Sequence, residues 1–500
     1  MELLGRRKIF SVLLATSIMF MGANAIAGVA NSNRCIQVYS GELARMSSEE
    51  TLKKAIEVLN EVRSKHESII SYTDLLGIKP HLLEYYRSFG PDKQIVIFTA
   101  APSLNKDFNP KSIWNLNRPI KKQTSGIVTV QEVMAADIKR LTGLNVRFVT
   151  PEEFGIHYQM KYQEIILSMA TNKELGRVIE DDRNIAFHIM VEDGLGAAAK
   201  KFLEKRNLPY TTAYHTDFPQ YAAGFTEFYL PKPIHKFLNG PKMKKHFESG
   251  LYSFLRGFHK NSSGVLVPTN TMANKLIDNN FREDRVRFWS HGVDVNLFRP
   301  ELRDPALYEQ ELGFKLDGRP VALFVGRIGE EKNIRDFLDA RLVSTQKDSS
   351  GRIVEKEAVK VIIGSGPELE TLKAEYQSKA YFLGRKAHDT ELPKYMASAD
   401  GFIFPSLTET FGLVGPEALA AGTPTLTYKV QGMQDWNTDT KAGVMVPHTA
   451  IREQNLKNLS TGWSHLMQLK REDARAFAET MPWERSILEF LFFINPVIDP

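Results

Sequence analysis

The chain has 500 residues, more than one ordinary hydrophobic core accommodates, so two or three domains are expected. Hydrophobic residues make up 43% and charged residues 25%, which excludes a disordered chain. The net charge of +5 is small for this length. It suits phosphorylated ligands or anionic lipid, and the lack of a dense Lys/Arg stripe interleaved with aromatics speaks against nucleic acid as a partner. Cys35 is the single cysteine, so an internal disulfide and a Cys-based zinc site are both excluded.

In chain order, Arg6, Arg7 and Lys8 precede a 22-residue uncharged run, residues 9–30. Residues 1–30 have two main readings, ahead of a third, a buried first helix. One is a secretory signal, with small-residue cleavage sites at Ala23-Asn24-Ala25 and Ala25-Ile26-Ala27; the other is an uncleaved membrane anchor. The basic flank favours an N-terminus in the cytoplasm and the remainder outside. Residues 31–90 read as a helical extension. Within it, residues 42–86 carry Leu43, Met46, Leu52, Ala55, Ile56, Val58, Leu59 and Val62 near a 3.6-residue period. From residue 91 strands and helices alternate. Gln94-Ile95-Val96-Ile97-Phe98-Thr99, Asn145-Val146-Arg147-Phe148-Val149-Thr150 and Ile185-Ala186-Phe187-His188-Ile189 read as strands, with helices over 128–141 and 195–206. After a turn-rich stretch around 289–320 the alternation resumes at Val321-Ala322-Leu323-Phe324-Val325, Val359-Lys360-Val361-Ile362-Ile363 and Gly401-Phe402-Ile403-Phe404.

This pattern predicts an α/β chain with two Rossmann-like, doubly wound domains, at 91–300 and 301–480, facing each other across a cleft. Residues 481–500, opened by Pro482-Trp483-Glu484-Arg485, are expected to form an amphipathic helix that returns to the first domain. Its end, Leu491-Phe492-Phe493-Ile494, is apolar enough to touch a membrane, and burial on the first domain is the preferred reading.

The densest chemistry lies in the string from Glu409 to Pro424, Glu-Thr-Phe-Gly-Leu-Val-Gly-Pro-Glu-Ala-Leu-Ala-Ala-Gly-Thr-Pro. Two glutamates flank a glycine-bearing loop, and a short helix begins near Pro416 and ends at Gly422. Backbone N–H groups of Phe411, Gly412 and Leu413, with the helix start, make a seat for a diphosphate. One carboxylate can then face a sugar ring and the other a ribose diol. The plain alternative is a helix with a solvated glutamate at each end.

The full string resembles the donor-binding signature of the retaining glycosyltransferases of family 4, which have the GT-B fold. Phe324 to Asn333, Ile362-Ile363-Gly364-Ser365-Gly366-Pro367, Phe382-Leu383-Gly384 and Ser290 to Pro300 resemble further segments of that family. Val191-Glu192-Asp193-Gly194-Leu195-Gly196 and Tyr214-His215-Thr216-Asp217-Phe218-Pro219 resemble its lipid-directed mannosyl- and sulfoquinovosyltransferase-like members. The resemblance covers roughly residues 91–490. It implies a hexosyltransferase that takes a nucleotide-diphosphate sugar, such as a UDP-sugar or GDP-mannose, and acts on a lipid or glycan acceptor. A membrane surface is a further contact to expect.

The resemblance also implies roles for matching positions. Arg327 and Lys332 would neutralise the donor diphosphate, Glu417 would bind the ribose, and Glu409 would lie beside the donor sugar. His215 would reach the cleft near sugar and acceptor, with Asp217 close by, and Gly126 would allow close backbone approach in the first loop. No Asp-x-Asp motif stands at a strand end in the donor half, and the two cations can do a metal's electrostatic work. No metal and no cofactor beyond the donor are therefore expected. Two departures from the family pattern stand out. Ser125 takes the place of a glycine before Gly126, and Gln431-Gly432-Met433-Gln434-Asp435 replaces a commoner Gly-Gly-x-x-Glu/Asp pattern. The resemblance sits awkwardly with the leader, because sugar nucleotides are made in the cytosol. A membrane-associated or exported protein and a cytoplasm-facing catalytic domain both stay open. Other readings are a GT-B epimerase or phosphorylase and a silent sugar-nucleotide-binding scaffold. A Rossmann dehydrogenase lacks its Gly-x-Gly-x-x-Gly fingerprint here.

Overall fold

The computed structural model describes residues 48–66, 68–99, 126–154, 156–159, 166–217, 219, 241–347, 350–494 and 496–497. The apolar run at 9–30, Cys35, Ser125 and Phe218 lie outside them.

The strands are, in chain order, β1 (Gln94–Phe98), β2 (Asn145–Val149), β3 (Ile156–Gln159), β4 (Ile166–Met169), β5 (Asn184–Ile189), β6 (Thr211–Ala213), β7 (Gly264–Val267) and β8 (Val286–Phe288) in the N-terminal half. The C-terminal half adds β9 (Val321–Val325), β10 (Val343–Lys347), β11 (Ile353–Glu357), β12 (Val359–Ile363), β13 (Ala380–Phe382), β14 (Gly401–Phe404), β15 (Thr425–Tyr428) and β16 (Gly443–Val446). Six of the first eight form one sheet in the order β2-β1-β5-β6-β7-β8, and six of the second eight form another, β13-β12-β9-β14-β15-β16. Every pairing within these two sheets is parallel. β3 with β4 and β10 with β11 make separate antiparallel ribbons.

The apolar strands behave as their sequences require. β1, β9, β12, β14 and β15 are buried at every position, because crossover helices cover both faces of a parallel sheet. In the second sheet, strand order reverses between β9 and β14, where crossovers leave to opposite sides. A ligand crevice opens at the carboxyl ends of strands at such a point.

Of residues 42–86, which read as helical, the described part forms two helices, Ser48–Lys65 and Tyr72–Arg87. Ser71 has extended backbone and its hydroxyl accepts from Asp74 N at 3.1 Å. That cap starts a new helix where apolar periodicity alone suggests continuation.

These helices pack on the last helix, Trp483–Phe493. Ile487, Leu488, Phe490 and Leu491 share one core with Leu82, Leu83, Tyr86, Ile95, Ile97 and Met134. The chain therefore crosses back from the second sheet to the first. Tyr86 Oη donates to the Leu491 carbonyl at 2.6 Å, Arg63 Nε to the Phe492 carbonyl at 3.2 Å, and Lys79 pairs with Glu484 at 2.7 Å.

The returning helix also fixes the outgoing strand connection. Trp289 Nε1 donates to the Ser486 carbonyl at 3.0 Å. Fully buried Glu489 accepts from Ser290 N at 2.7 Å, Ser290 Oγ at 2.8 Å and Arg485 Nε at 2.9 Å. Val293 N donates to the Met481 carbonyl at 2.9 Å, so the two passages between the halves run side by side.

Replacing Leu491, which is fully buried, with alanine is expected to cost about 2–5 kcal/mol. Urea unfolding followed by far-UV circular dichroism reads this as a lower midpoint. An unchanged midpoint would show that the last helix does not carry the packing assigned to it.

Candidate active site

Two connections leave the carboxyl ends of β9 and β14 at the reversal point of the second sheet. After β9 come Arg327 and a single 3-10 turn, Glu330–Lys332, ended by Asn333 with φ +49°. Asparagine tolerates this left-handed conformation, and here its Nδ2 donates to Asp336 Oδ2 at 2.9 Å. The turn aims Lys332 at the connection after β14, where its ammonium pairs with Glu409 Oε1. Ser406 Oγ donates to the same oxygen at 2.7 Å. The ammonium also stands 5.6 Å from the centre of the Phe404 ring. Gly432, with φ +83°, passes so close behind that a Cβ would lie 2.5 Å from the Glu409 carbonyl oxygen. Only glycine fits there, which accounts for the second residue of Gln431-Gly432.

Arg327 is engaged separately, by Glu331 at 2.9 Å. Both cations expected at a diphosphate thus sit beside β9, and each is paired with a carboxylate of the chain.

Gly412 turns the loop with φ +84°. Phe411 is buried, its carbonyl accepts from Trp436 Nε1, and Leu413 packs against the cores of both halves. The helix that follows is Val414–Ala420, with Pro416 in its first turn. Glu417 lies on it, 7% exposed, and Oε1 accepts from His388 Nε2 at 2.9 Å.

Sequence reasoning passed over His388, a lone histidine between β13 and the next helix, 29 residues from its partner. Burial opposes a charge on this ring. The hydrogen bonds and charges of Glu417 and Asp389 outweigh it and raise its pKa to about 9.

The N-terminal half contributes a group of rings. His215 follows β6 and stacks on His291 (5.2 Å between centroids, 25° between planes), with an edge contact to Trp289 at 5.1 Å. His291 in turn meets Phe411 edge-on at 5.2 Å, so a continuous stack links the two halves. Both ring nitrogens of His215 and Nδ1 of His291 are buried without a hydrogen-bond partner among the described residues. Burial pushes the His215 pKa down to about 4. Burial, with the neighbouring His215, also holds His291 well below the usual histidine range. Both rings are neutral at physiological pH. His291 was legible only as part of the Ser290 to Pro300 segment, with no role attached.

Asp217 is 1% exposed and its oxygens are occupied. Oδ1 accepts from Tyr214 Oη at 3.1 Å and Tyr252 Oη at 3.4 Å, and Oδ2 from Gln431 Nε2 at 2.8 Å and from the Lys275 ammonium. Asp435 accepts from Thr271 N at 3.0 Å and from the Thr271 hydroxyl. The atypical Gln431 and the Asp435 that ends the same motif therefore tie the C-terminal half to Asp217 and to the helix Asn270–Asp278. Gly126 opens the helix Gly126–Thr142. The structure thus brings Lys332 to Glu409 and links His215, through His291, to Phe411. Glu417 and Asp217 each stand in a network of their own.

Since its folded pKa lies above the ordinary 6.5, His388 contributes stability that is fully present below pH 6.5 and is lost as pH rises through about 9. An NMR titration of the ring is expected to show a midpoint near 9. Glu417→Gln should bring it towards the ordinary value, and an unmoved midpoint would dissociate the two side chains.

Residues 309–471 match the family described as Glycosyl transferases group 1, and residues 151–297 match Glycosyltransferase Family 4. The chain is 28% identical over 280 residues to sulfoquinovosyl transferase SQD2 of Arabidopsis thaliana, covering 55% of this chain and 48% of that one. It is 30% identical over 250 residues to alpha-monoglucosyldiacylglycerol synthase of Streptococcus pneumoniae, covering 48% and 51%. The chain thus spans about half the length of the curated relatives it matches. Sucrose-phosphate synthase from Thermosynechococcus elongatus shares the fold with a TM-score of 0.54 at 15% identity, over 80% of this chain and 97% of that one. HepE of Anabaena, solved in complex with UDP, does so at 0.51 and 13%, over 80% and 98%. The chain thus carries, in order, a Glycosyltransferase Family 4 match in its N-terminal half and a Glycosyl transferases group 1 match in its C-terminal half, on the two parallel sheets of the GT-B fold.

Proposed function

We propose that the protein transfers a hexosyl unit from a nucleotide-diphosphate sugar to a lipid or glycan acceptor, with retention of configuration and without a metal ion. The observation that carries this reading is the Lys332–Glu409 pair at the reversal point of the second sheet, with Arg327 on the same connection and Glu417 on the helix that follows. A donor needs such a set: cations for the diphosphate, a carboxylate for the sugar hydroxyls and another for the ribose. Support for the donor class comes from HepE, which binds UDP. Support for a lipid acceptor comes from the name of the pneumococcal relative, whose product is a diacylglycerol glycolipid.

In this reading the departing diphosphate gains negative charge as the glycosidic bond breaks, and Lys332 and Arg327 stabilise it more than the ground state. They do the work a divalent ion would otherwise do. Retention through a covalent intermediate needs an unencumbered carboxylate nucleophile. Glu409 is held by an ammonium and a hydroxyl, which lowers its nucleophilicity and suits it to binding sugar hydroxyls. His215, neutral and with a pKa near 4, is a weak base at neutral pH. The leaving phosphate is then the better acceptor for the proton of the incoming hydroxyl, and His215 hydrogen-bonds sugar or acceptor. This is a front-face path with a dissociative transition state.

The full chain in detergent, melted with UDP-, GDP- and ADP-sugars in the presence of EDTA, is expected to be stabilised by one nucleotide series. Lys332→Ala and Glu417→Ala should each lower kcat/KM for the donor by about ten- to a hundred-fold with unchanged circular dichroism. Near-normal transfer by both variants would overturn the assignment. An inverted product anomer by NMR, or loss of activity in EDTA, would overturn the mechanism.

A further inference from the structure

Glu417 is buried, and only one of its oxygens has a partner among the described residues. Oε1 takes the hydrogen bond of His388 Nε2 at 2.9 Å, and the structure gives Oε2 none. The imidazole that holds Oε1 is itself fixed. Its Nδ1 lies 2.8 Å from Asp389 Oδ1, and its edge meets Phe298 at 5.3 Å and 65°. Phe298 is 1% exposed and belongs to the passage between the two sheets. One guanidinium nitrogen of Arg475 donates to the Phe298 carbonyl at 2.9 Å and to the Ala420 carbonyl at 3.0 Å. Ala420 is the last residue of the helix that bears Glu417. Imidazole and carboxylate are therefore mounted on one frame.

A ribose diol offers two hydroxyl donors, and an ionised, oriented carboxylate oxygen can accept both. A buried carboxylate beside an arriving diphosphate is under pressure to protonate or to turn away. A cation donating to its other oxygen removes both tendencies.

We propose that His388 is a positioning residue for the donor nucleotide: through Nε2 it fixes Glu417 so that Oε2 is presented to the ribose diol. This rests on the assignment of Glu417 to the ribose made above. The groups facing the ring are Glu417, Asp389 and the uncharged Phe298, so the imidazolium persists up to about pH 9. The preference for a ribose over a deoxyribose then fades as pH rises through that value.

The test is isothermal titration of the full chain with UDP, GDP and ADP and with their 2′-deoxy counterparts at pH 7 and pH 10. The proteins are wild type, Glu417→Ala, His388→Ala and His388→Gln, each checked by thermal melting. The wild type is expected to prefer the ribonucleotide of one base by about ten-fold or more at pH 7, the worth of a charge-assisted hydrogen bond, and to lose most of that preference at pH 10. Glu417→Ala should abolish it, His388→Ala should reduce it about five-fold, and His388→Gln, which keeps a donor but carries no charge, should hold at both pH values the smaller preference that the wild type keeps at pH 10. If Glu417→Ala removes the preference but His388→Ala leaves it intact, the positioning role is overturned while the ribose assignment stands. If Glu417→Ala leaves the preference unchanged, or no nucleotide binds the wild type, the ribose assignment fails and this inference with it. A wild-type preference equal at pH 7 and pH 10 overturns it through a measurement that needs no variant.

Discussion

A carboxylate with no access to water anchors the architecture. Glu489 cannot stay ionised inside the protein without partners, and its three hydrogen bonds come from Ser290 and Arg485. Ser290 stands where the chain leaves the first sheet, and Glu489 where it has returned to that sheet. Satisfying one buried carboxyl group, whose pKa burial pushes up, therefore fixes the relation between the outgoing and incoming passages. Trp289 on Ser486 and the Val293–Met481 hydrogen bond reinforce that relation. The ring stack from Trp289 through His215 and His291 to Phe411 builds outward from this point, so the geometry of the cleft inherits the geometry of the crossing.

The charged groups near the reversal point follow one rule. Each of three cations has an opposite partner: Lys332 with Glu409 and His388 with Glu417 across connections, and Arg327 with Glu331 on its own connection. The carboxyl ends of β9 and β14 are close, so side chains leaving them meet. The aromatic side of the cleft is different. His215 and His291 are desolvated and neutral, and among the described residues three of their ring nitrogens have no hydrogen-bond partner.

Legibility in the sequence tracked locality. β1, β9, β12 and β14 announce themselves as apolar runs, since both faces of a parallel strand are covered. β6, Thr-Thr-Ala, and β8, Val-Arg-Phe, are three residues each and carry no periodic signal; their neighbours in the sheet define them. β10 and β11 are polar and form a ribbon apart from the sheets, with Ile353 exposed to solvent. The start of the second helix at Tyr72 is set by a cap, Ser71, and not by a change in apolar content. At the candidate site, the spacing of Glu409 and Glu417 and the strand ends before Arg327 and Lys332 were readable, because those features are consecutive in the chain. Their partners were not. Glu417 and His388 are 29 residues apart, Asp217 and Gln431 are 214, and nothing but the folded chain joins them. Gln431 looked like a damaged glycine motif; its side chain reaches across to the other half.

That reach has a mechanical consequence. The two halves are joined in two unlike ways. At the crossing they share apolar surface, which is costly to expose. Along the line from Asp217 and Lys275 to Gln431, and from Thr271 to Asp435, they share polar contacts, whose groups water can solvate once the halves part. A body fastened stiffly on one side and by exchangeable polar contacts on the other bends about the stiff side. The compliance of the molecule is therefore directional: the crossing acts as its axle, and the polar seam is where it yields.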